Sequence, residues 1–286
     1  MRQKQQETRM RAEEIAFRSN IQQKSTIVEV PKWKKPIEAN QNFVLLGSCF
    51  AQYMGERFQA NGMNAVCNPL GAAYNPESIA IQVRQALEMS DGLPVFLFDG
   101  KWRCWWANTL LSDTEEGRFR ETIHRTFLEL GKALREADYL FLTLGTNVCY
   151  RLKENGMTVT NCHKVPDRCF EEVTLSLETC TDILQGMMEL LQKECPKLQV
   201  VFTVSPYRYK KYGFHGSQLA KATLLLAVDE ICKRFPKKAG YFPAYEILLD
   251  ELRDYSFYAE DMIHPAPNAV DHIWKRFTEN CMSKEQ

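Results

Sequence analysis

The stretch Phe43-Val44-Leu45-Leu46-Gly47-Ser48-Cys49-Phe50 sets how the rest of this chain is read. Four apolar residues closed by a glycine are too short for a helix and fit a strand buried on both faces. Beyond Gly47-Ser48-Cys49, Phe50, Met54 and Phe58 recur one helical turn apart and share one helix face, which Asn61-Gly62 ends. The unit is therefore strand, tight turn, helix.

The same alternation continues outward. Asn64 to Cys67 is a short candidate strand, and Asn75-Pro76 starts a helix with Ile79, Val83 and Leu87 on its apolar stripe. Val95-Phe96-Leu97-Phe98, Asp99-Gly100 and Lys101 to Trp106 predict a β-hairpin with a type I′ turn, inserted at the edge of the core. A helix over 117–136 leads into the buried strand Tyr139 to Leu144, which ends in Gly145-Thr146-Asn147. A helix near 172–193 precedes the strand Leu198 to Val204, which ends in Ser205-Pro206. A helix near 217–235, a short strand at Tyr241-Phe242 and a closing helix from about Asn268 complete the pattern. Continuous apolar strands separated by helices imply an α/β fold: a three-layer α/β/α, flavodoxin-like, doubly wound parallel sheet of about five strands. Sites in such folds form where the carboxyl ends of strands open into loops.

Residues 1–25 are rich in Arg, Gln, Lys and Glu and read as a helical or disordered extension, leaving 26–286 as a single domain. Lys plus Arg and Asp plus Glu are equal at 36 each, so no global field draws nucleic acid or an anionic membrane. The ten cysteines show no Cys-x-x-Cys pair and no zinc-ligand spacing, so no metal or other cofactor is expected. They read as reduced thiols. No stretch approaches the roughly 20 apolar residues that span a bilayer, and no signal peptide is visible, so a cytoplasmic protein is expected. Nothing in the sequence fixes an oligomeric state.

Three strand-end segments carry candidate chemistry. Cys49 stands at a helix N-terminus, where backbone N–H groups and the dipole favour negative charge and would depress a thiol pKa. Taken alone, the same turn is equally a small-residue junction with Ser48 as a cap. In Asp261-Met262-Ile263-His264-Pro265, an aspartate three residues before a histidine can accept its Nδ1–H and orient a general base. Asn147 could donate its side-chain amide to an oxyanion, and Gly71 a backbone N–H. Each is also an ordinary turn residue.

The order of these pieces resembles the SGNH/GDSL hydrolase superfamily. More closely, the chain is similar to the bacterial GSCFA-domain family, through Gly47 to Ala51, Asn68-Pro69 with Tyr74-Asn75-Pro76, Asn161-Cys162-His163-Lys164, Ser205-Pro206 and Phe257 to Pro265. The resemblance implies a flavodoxin-like sheet and ester hydrolysis or acyl transfer on a small-molecule or carbohydrate ester. In the superfamily's Gly-Asp-Ser block the nucleophile follows glycine by two positions. Here that position is Cys49, with Ser48 in place of the aspartate. Register favours Cys49 as nucleophile, with His264 as base, Asp261 as its orienting acid, and the Cys49 N–H, Gly71 and Asn147 as the oxyanion hole. Ser48 remains the alternative nucleophile.

His163, Arg208 and His215 are further candidates for binding substrate. Arg208 lies on the rim after the Ser205-Pro206 strand, where a solvated charge run is the plainer reading, and His215 in a glycine-flanked loop before a helix, where it could gate the pocket but an ordinary capping or exposed histidine is the plainer reading. Trp102, Trp105 and Trp106 form a patch able to stack on sugar rings or to pack the hairpin onto the core. The reading opposed to an enzyme is a non-catalytic binding or scaffold module that keeps the pocket.

Overall fold

In the computed structural model, which describes residues 26–31, 36–90 and 92–283, the expected alternation is present. The extension at 1–25 lies outside the described residues. In chain order the elements are β1 (Asn42–Gly47), α1 (Cys49–Ala60), β2 (Asn64–Cys67), α2 (Pro76–Glu88), β3 (Val95–Phe98), β4 (Lys101–Cys104) and α3 (Glu116–Glu136). They continue with β5 (Tyr139–Leu144), β6 (Val148–Leu152), β7 (Thr158–Val159), β8 (Phe170–Thr174), α4 (Leu177–Glu194), β9 (Gln199–Val204) and α5 (Gly213–Arg234). The last are β10 (Ala239–Tyr241), a short helical turn at Ala244–Glu246 running into Ile247–Glu251, and α6 (Pro267–Cys281).

Side chains alternate across a strand, and this two-residue period sorts the core into two layers. Val44 and Leu46 of β1, Leu140 and Leu142 of β5, and Val200 and Phe202 of β9 face α2, α3, α4 and α5. Phe43, Leu45, Tyr139, Phe141 and Val201 face α1 and α6 on the opposite side. There Phe58 of α1 packs against Phe43, Phe141 and Phe277, with ring centroids 4.8, 5.3 and 5.5 Å apart. Five strands in the order β10-β9-β5-β1-β2, all parallel, form the central sheet. The chain passes from β1 to β2 on one side, then crosses back over β1 to add β5 on the other. These divergent connections open a crevice at the carboxyl ends of β1 and β5.

The hairpin β3–β4 is antiparallel, and Asp99 (φ 51°) and Gly100 (φ 67°) supply the two positive φ angles of a type I′ turn. Its tryptophans are half-buried: Trp105 stacks on Phe96, and the Trp106 indole N–H donates to the Thr158 carbonyl at 3.2 Å. The aromatic patch thus joins the hairpin to a three-stranded antiparallel sheet, β7-β6-β8, that the periodicity does not predict. The expected helix near 172–193 is shorter for the same reason. Residues 170–174 pair with β6, and α4 begins only at Leu177, after Ser176 accepts the Thr179 N–H. The helix expected at 217–235 begins earlier, at Gly213, and the strand expected at Tyr241-Phe242 is Ala239–Tyr241.

Gly47 ends β1 with φ +128°, and a Cβ there would lie 2.2 Å from the Thr143 carbonyl oxygen of β5. Backbone strain and overlap act together, so Gly47→Ala should cost roughly 2–5 kcal/mol. A fall in the denaturant midpoint at unchanged m-value checks this.

Candidate active site

The turn after β1 is fastened to its neighbours on both sides. The Ser48 N–H donates to the Thr143 carbonyl at 3.0 Å, and the Gly47 N–H to Asn68 Oδ1 at 2.9 Å. Ala73 closes the other side by donating to the Gly47 carbonyl at 3.0 Å. Held this way, Ser48 is fully buried (0 % exposed), and its Oγ accepts the Phe50 N–H at 3.3 Å as the N-cap of α1. Cys49, the next residue, is half-buried and starts the helix. Among the described residues its N–H makes no bond to another residue, as a first-turn donor commonly does not.

Burial raises the Cys49 thiol above its ordinary pKa, against the pull of its own N–H, the Lys221 charge and the Phe50 N–H; Asp261 adds to the rise. This corrects the expectation of a depressed thiol. The helix terminus is present, but desolvation outweighs it.

Asp261 and His264 occupy the tip of a narrow loop before α6. Tyr258 bridges to Pro265, the Ala259 N–H donates to the His264 carbonyl (2.8 Å), and Met262 turns the tip at φ 57°. One carboxylate organises this tip. Asp261 Oδ1 accepts the N–H groups of Ile263 (2.9 Å) and His264 (3.0 Å), while Oδ2 lies 2.5 Å from His264 Nδ1. The backbone and imidazole bonds of His264 hold the Asp261 carboxyl down at about 2. An ionised carboxylate only accepts, so Nδ1 is the donor to Asp261 and Nε2 is the ring nitrogen left to face another group.

The loop is docked on the end of β9. Arg208 donates its N–H to the Ile263 carbonyl (2.9 Å) and Nη1 to the Met262 carbonyl (3.2 Å), and the Tyr207 ring packs 4.7 Å from the imidazole. Tyr207 feels the charges of both Cys49 and Asp261, as does Tyr53 of α1. Thiol and Asp–His pair therefore share one neighbourhood, although among the described residues no hydrogen bond joins Cys49 to His264. The described residues also contain no group of three or more His, Cys, Asp or Glu side chains placed to hold a metal ion.

The sequence profile of the GSCFA family matches residues 42–277, most of the chain and both halves of this arrangement. The chain belongs to the GSCFA family. No curated protein matches the sequence of this GSCFA protein. Solved structures similar to it include a candidate platelet activating factor from Streptococcus pneumonia (11 % identity, 84 % of this chain and 83 % of that one, TM-score 0.44). Another is the acetyl xylan esterase Est2A from the rumen bacterium Butyrivibrio proteoclasticus (10 % identity, 86 % and 64 %, TM-score 0.43). A third is a family two carbohydrate esterase from Clostridium thermocellum in complex with cellohexaose (11 % identity, 89 % and 66 %, TM-score 0.42). The GSCFA chain thus spans just under two thirds of the two esterases' lengths. Likenesses this distant carry no weight for activity.

Several expected site residues of the GSCFA protein are engaged elsewhere. The Gly71 N–H closes a turn onto the Asn68 carbonyl (2.7 Å), and Asn108 occupies the space a side chain at 71 would need. Gly71 is required by the turn, at φ +86°. Asn147 Nδ2 donates to the Leu175 carbonyl (2.8 Å), while the Leu175 N–H donates back to the Asn147 carbonyl (2.8 Å), stitching β6 to the start of α4. His163 is buried (2 % exposed) and bonds the Cys104 carbonyl (2.9 Å) and Thr109 Oγ1 (3.1 Å), its ring edge-on to the stacked pair Phe96 and Trp105. Burial pushes its pKa down to about 4, so it is a neutral core histidine rather than a substrate ligand. His215 lies exposed on the first turn of α5 and does not line the cleft described next.

Arg208 does line it. A cleft of about 600 Å³ opens beside the His264 loop, lined by Tyr207, Arg208, Phe214, Tyr245, Tyr255 and Tyr258 and by the acidic Glu246, Asp250 and Asp254. The Arg208 guanidinium stands 3.9 Å over Phe214, 5.0 Å over Tyr258 and 5.8 Å over Tyr255. Sequence reading missed Tyr207, whose only signal is its place after a strand end. It also missed Lys221, a charge on the apolar stripe of α5 among the buried Ser217, Leu224 and Val228.

Proposed function

We propose that this protein cleaves or transfers an O-acyl group of a carbohydrate-type ester, with Cys49 as nucleophile. The observation that carries the reading is the division of labour within Gly47-Ser48-Cys49. Ser48 is sealed in and used as a cap, while the side chain beside the Asp261–His264 pair is the thiol. In the reaction, Cys49 Sγ bonds to the acyl carbon as its proton passes to His264 Nε2. The C–O bond then breaks, and the leaving alkoxide takes that proton. Water, deprotonated by His264, hydrolyses the thioester to the carboxylic acid and restores the thiol; a second alcohol in place of water gives transfer. The Cys49 N–H is the oxyanion donor left unpaired, and Asp261 keeps the imidazole in the required tautomer.

Burial of the thiol suits this scheme. At neutral pH the resting group is the neutral SH, so attack depends on the base and not on a standing thiolate. The neighbouring cleft supports the substrate class. Aromatic faces beside carboxylates match the apolar faces and hydroxyl donors of a sugar ring.

Intact-protein mass after exposure to a peracetylated xylo-oligosaccharide or an activated acetyl ester tests this. The expected adduct is one acetyl group, mapped to Cys49 and released by water or alcohol. Absence of both adduct and ester turnover would overturn the proposal. It would favour a binding module that keeps the pocket without turnover, a reading motivated by the missing Cys49–His264 hydrogen bond.

A further inference from the structure

Lys221 of α5 is 1 % exposed, in a position where lysine is almost never found without a partner. Its Nζ donates to the Gly145 carbonyl (2.7 Å) and the Ser205 carbonyl (2.8 Å), the exits of β5 and β9. The Tyr245 ring lies 5.7 Å away. Among the described residues no carboxylate pairs with it. A buried ammonium satisfied only by neutral carbonyls is costly, and burial pushes this amine down to about 7. One influence opposes that push, the negative charge of ionised Cys49.

The groups around the thiol make the relation specific. Gly47 of β1 pairs in register with Thr143 of β5, so Cys49 and Gly145 leave neighbouring strand ends at the same level, and Lys221 Nζ rests on the Gly145 carbonyl. The tyrosines Tyr53, Tyr74 and Tyr207 and the Asp261 carboxylate share the thiol's electrostatic surroundings. The tyrosines are neutral, Asp261 is anionic, and the imidazole is committed to Asp261. Apart from His264, which takes up a proton only in the reaction, Lys221 is the group in this set that can bring a positive charge. No hydrogen bond joins it to Cys49 among the described residues, so it acts through the field and not by proton transfer.

We propose that Lys221 is the buried counter-charge of the Cys49 nucleophile, a positioning residue whose ammonium offsets the negative charge of the thiolate or the oxyanion as it forms. This rests on Cys49 being the reacting residue.

The test follows alkylation of Cys49 by iodoacetamide in the full chain, read by peptide mass against pH, with Cys162 as internal reference. In Lys221→Met and Lys221→Gln the midpoint of the Cys49 profile should move up by about one pH unit or more. That is roughly tenfold slower labelling at neutral pH, with Cys162 unchanged. If Lys221→Met does not fold because two carbonyls lose their donor, Lys221→Gln decides, since its amide has two N–H groups and no charge. A purely structural lysine would lower the melting temperature of both variants and leave the midpoint in place. An unmoved midpoint in folded Lys221→Gln overturns the proposal. Alkylation needs no turnover, so a protein that hydrolyses no ester but shows the shift loses the enzymatic reading and keeps the charge coupling.

Discussion

Cys49→Ala should lower the hydrolysis of an activated acetyl ester about a thousandfold or more, while Ser48→Ala leaves the rate per folded molecule within about twofold. The contrast follows from what the two side chains touch. The Ser48 hydroxyl is shut away and accepts the Phe50 N–H, so its loss removes a helix cap. That should cost about 1 kcal/mol of stability and nothing in chemistry. Cys49 stands half-buried at the mouth of the crevice, among the tyrosines and the Asp261–His264 loop. Steady-state rates on both variants, each normalised to folded protein by its own melting curve, give the comparison. The opposite result, a dead Ser48→Ala and an active Cys49→Ala, would assign attack to the serine and require the α1 cap to open first.

Asp261→Asn should lower kcat by about 10²–10⁴-fold with little change in KM. The variant retains one carbonyl oxygen for the Ile263 and His264 N–H groups, so the loop tip keeps its turn. What changes is the contact with His264 Nδ1, where a carboxylate that only accepts gives way to an amide that also donates. The imidazole then loses the partner that sets its tautomer. Asp261→Ala should be worse, because the two backbone donors are stranded as well. The sign of the pH effect is fixed. The folded carboxyl sits at about 2, below its ordinary 3.8, so its bonds contribute to loop order above about 3.8 and are lost as pH falls toward 2. Across neutral pH, rate and loop structure should not follow its titration. Single-turnover kinetics with circular dichroism on each variant would separate lost chemistry from a lost loop.

How much of this was readable from the sequence depends on how local the cause is. The β1–α1 unit is legible because apolar period and cap lie within Phe43 to Phe58. The Asp261–His264 contact is legible because three residues of loop bring the carboxylate to the imidazole. Gly71 is held by its own turn onto Asn68, but Asn147 and His163, also of the family-like pattern, are each engaged by a partner far along the chain, Leu175 and Cys104. No local rule names those partners. The thiol of Cys49 follows the same logic. Its place at a helix start is local, but the burial that overrides the helix is assembled from elements tens of residues away. The small sheet β7-β6-β8 escaped because its strands are short, and β8, with Glu171 and Glu172 in it, merges in pattern with the helix that follows.

Arg208 binds the carbonyls of Met262 and Ile263 and at the same time forms part of the cleft wall between Phe214 and Tyr258. The arginine that lines the cleft therefore also holds the loop that bears the imidazole. Divergence of this cleft toward new ligands is channelled by that sharing. Exchange at Phe214 or Tyr255 can reshape the cavity and leave the loop alone, whereas exchange at Arg208 reshapes it and also removes the guanidinium bond to the Met262 carbonyl, leaving the loop on the backbone bond to Ile263. Related chains that differ in specificity should vary first at those rings, with the arginine the last of the wall to drift.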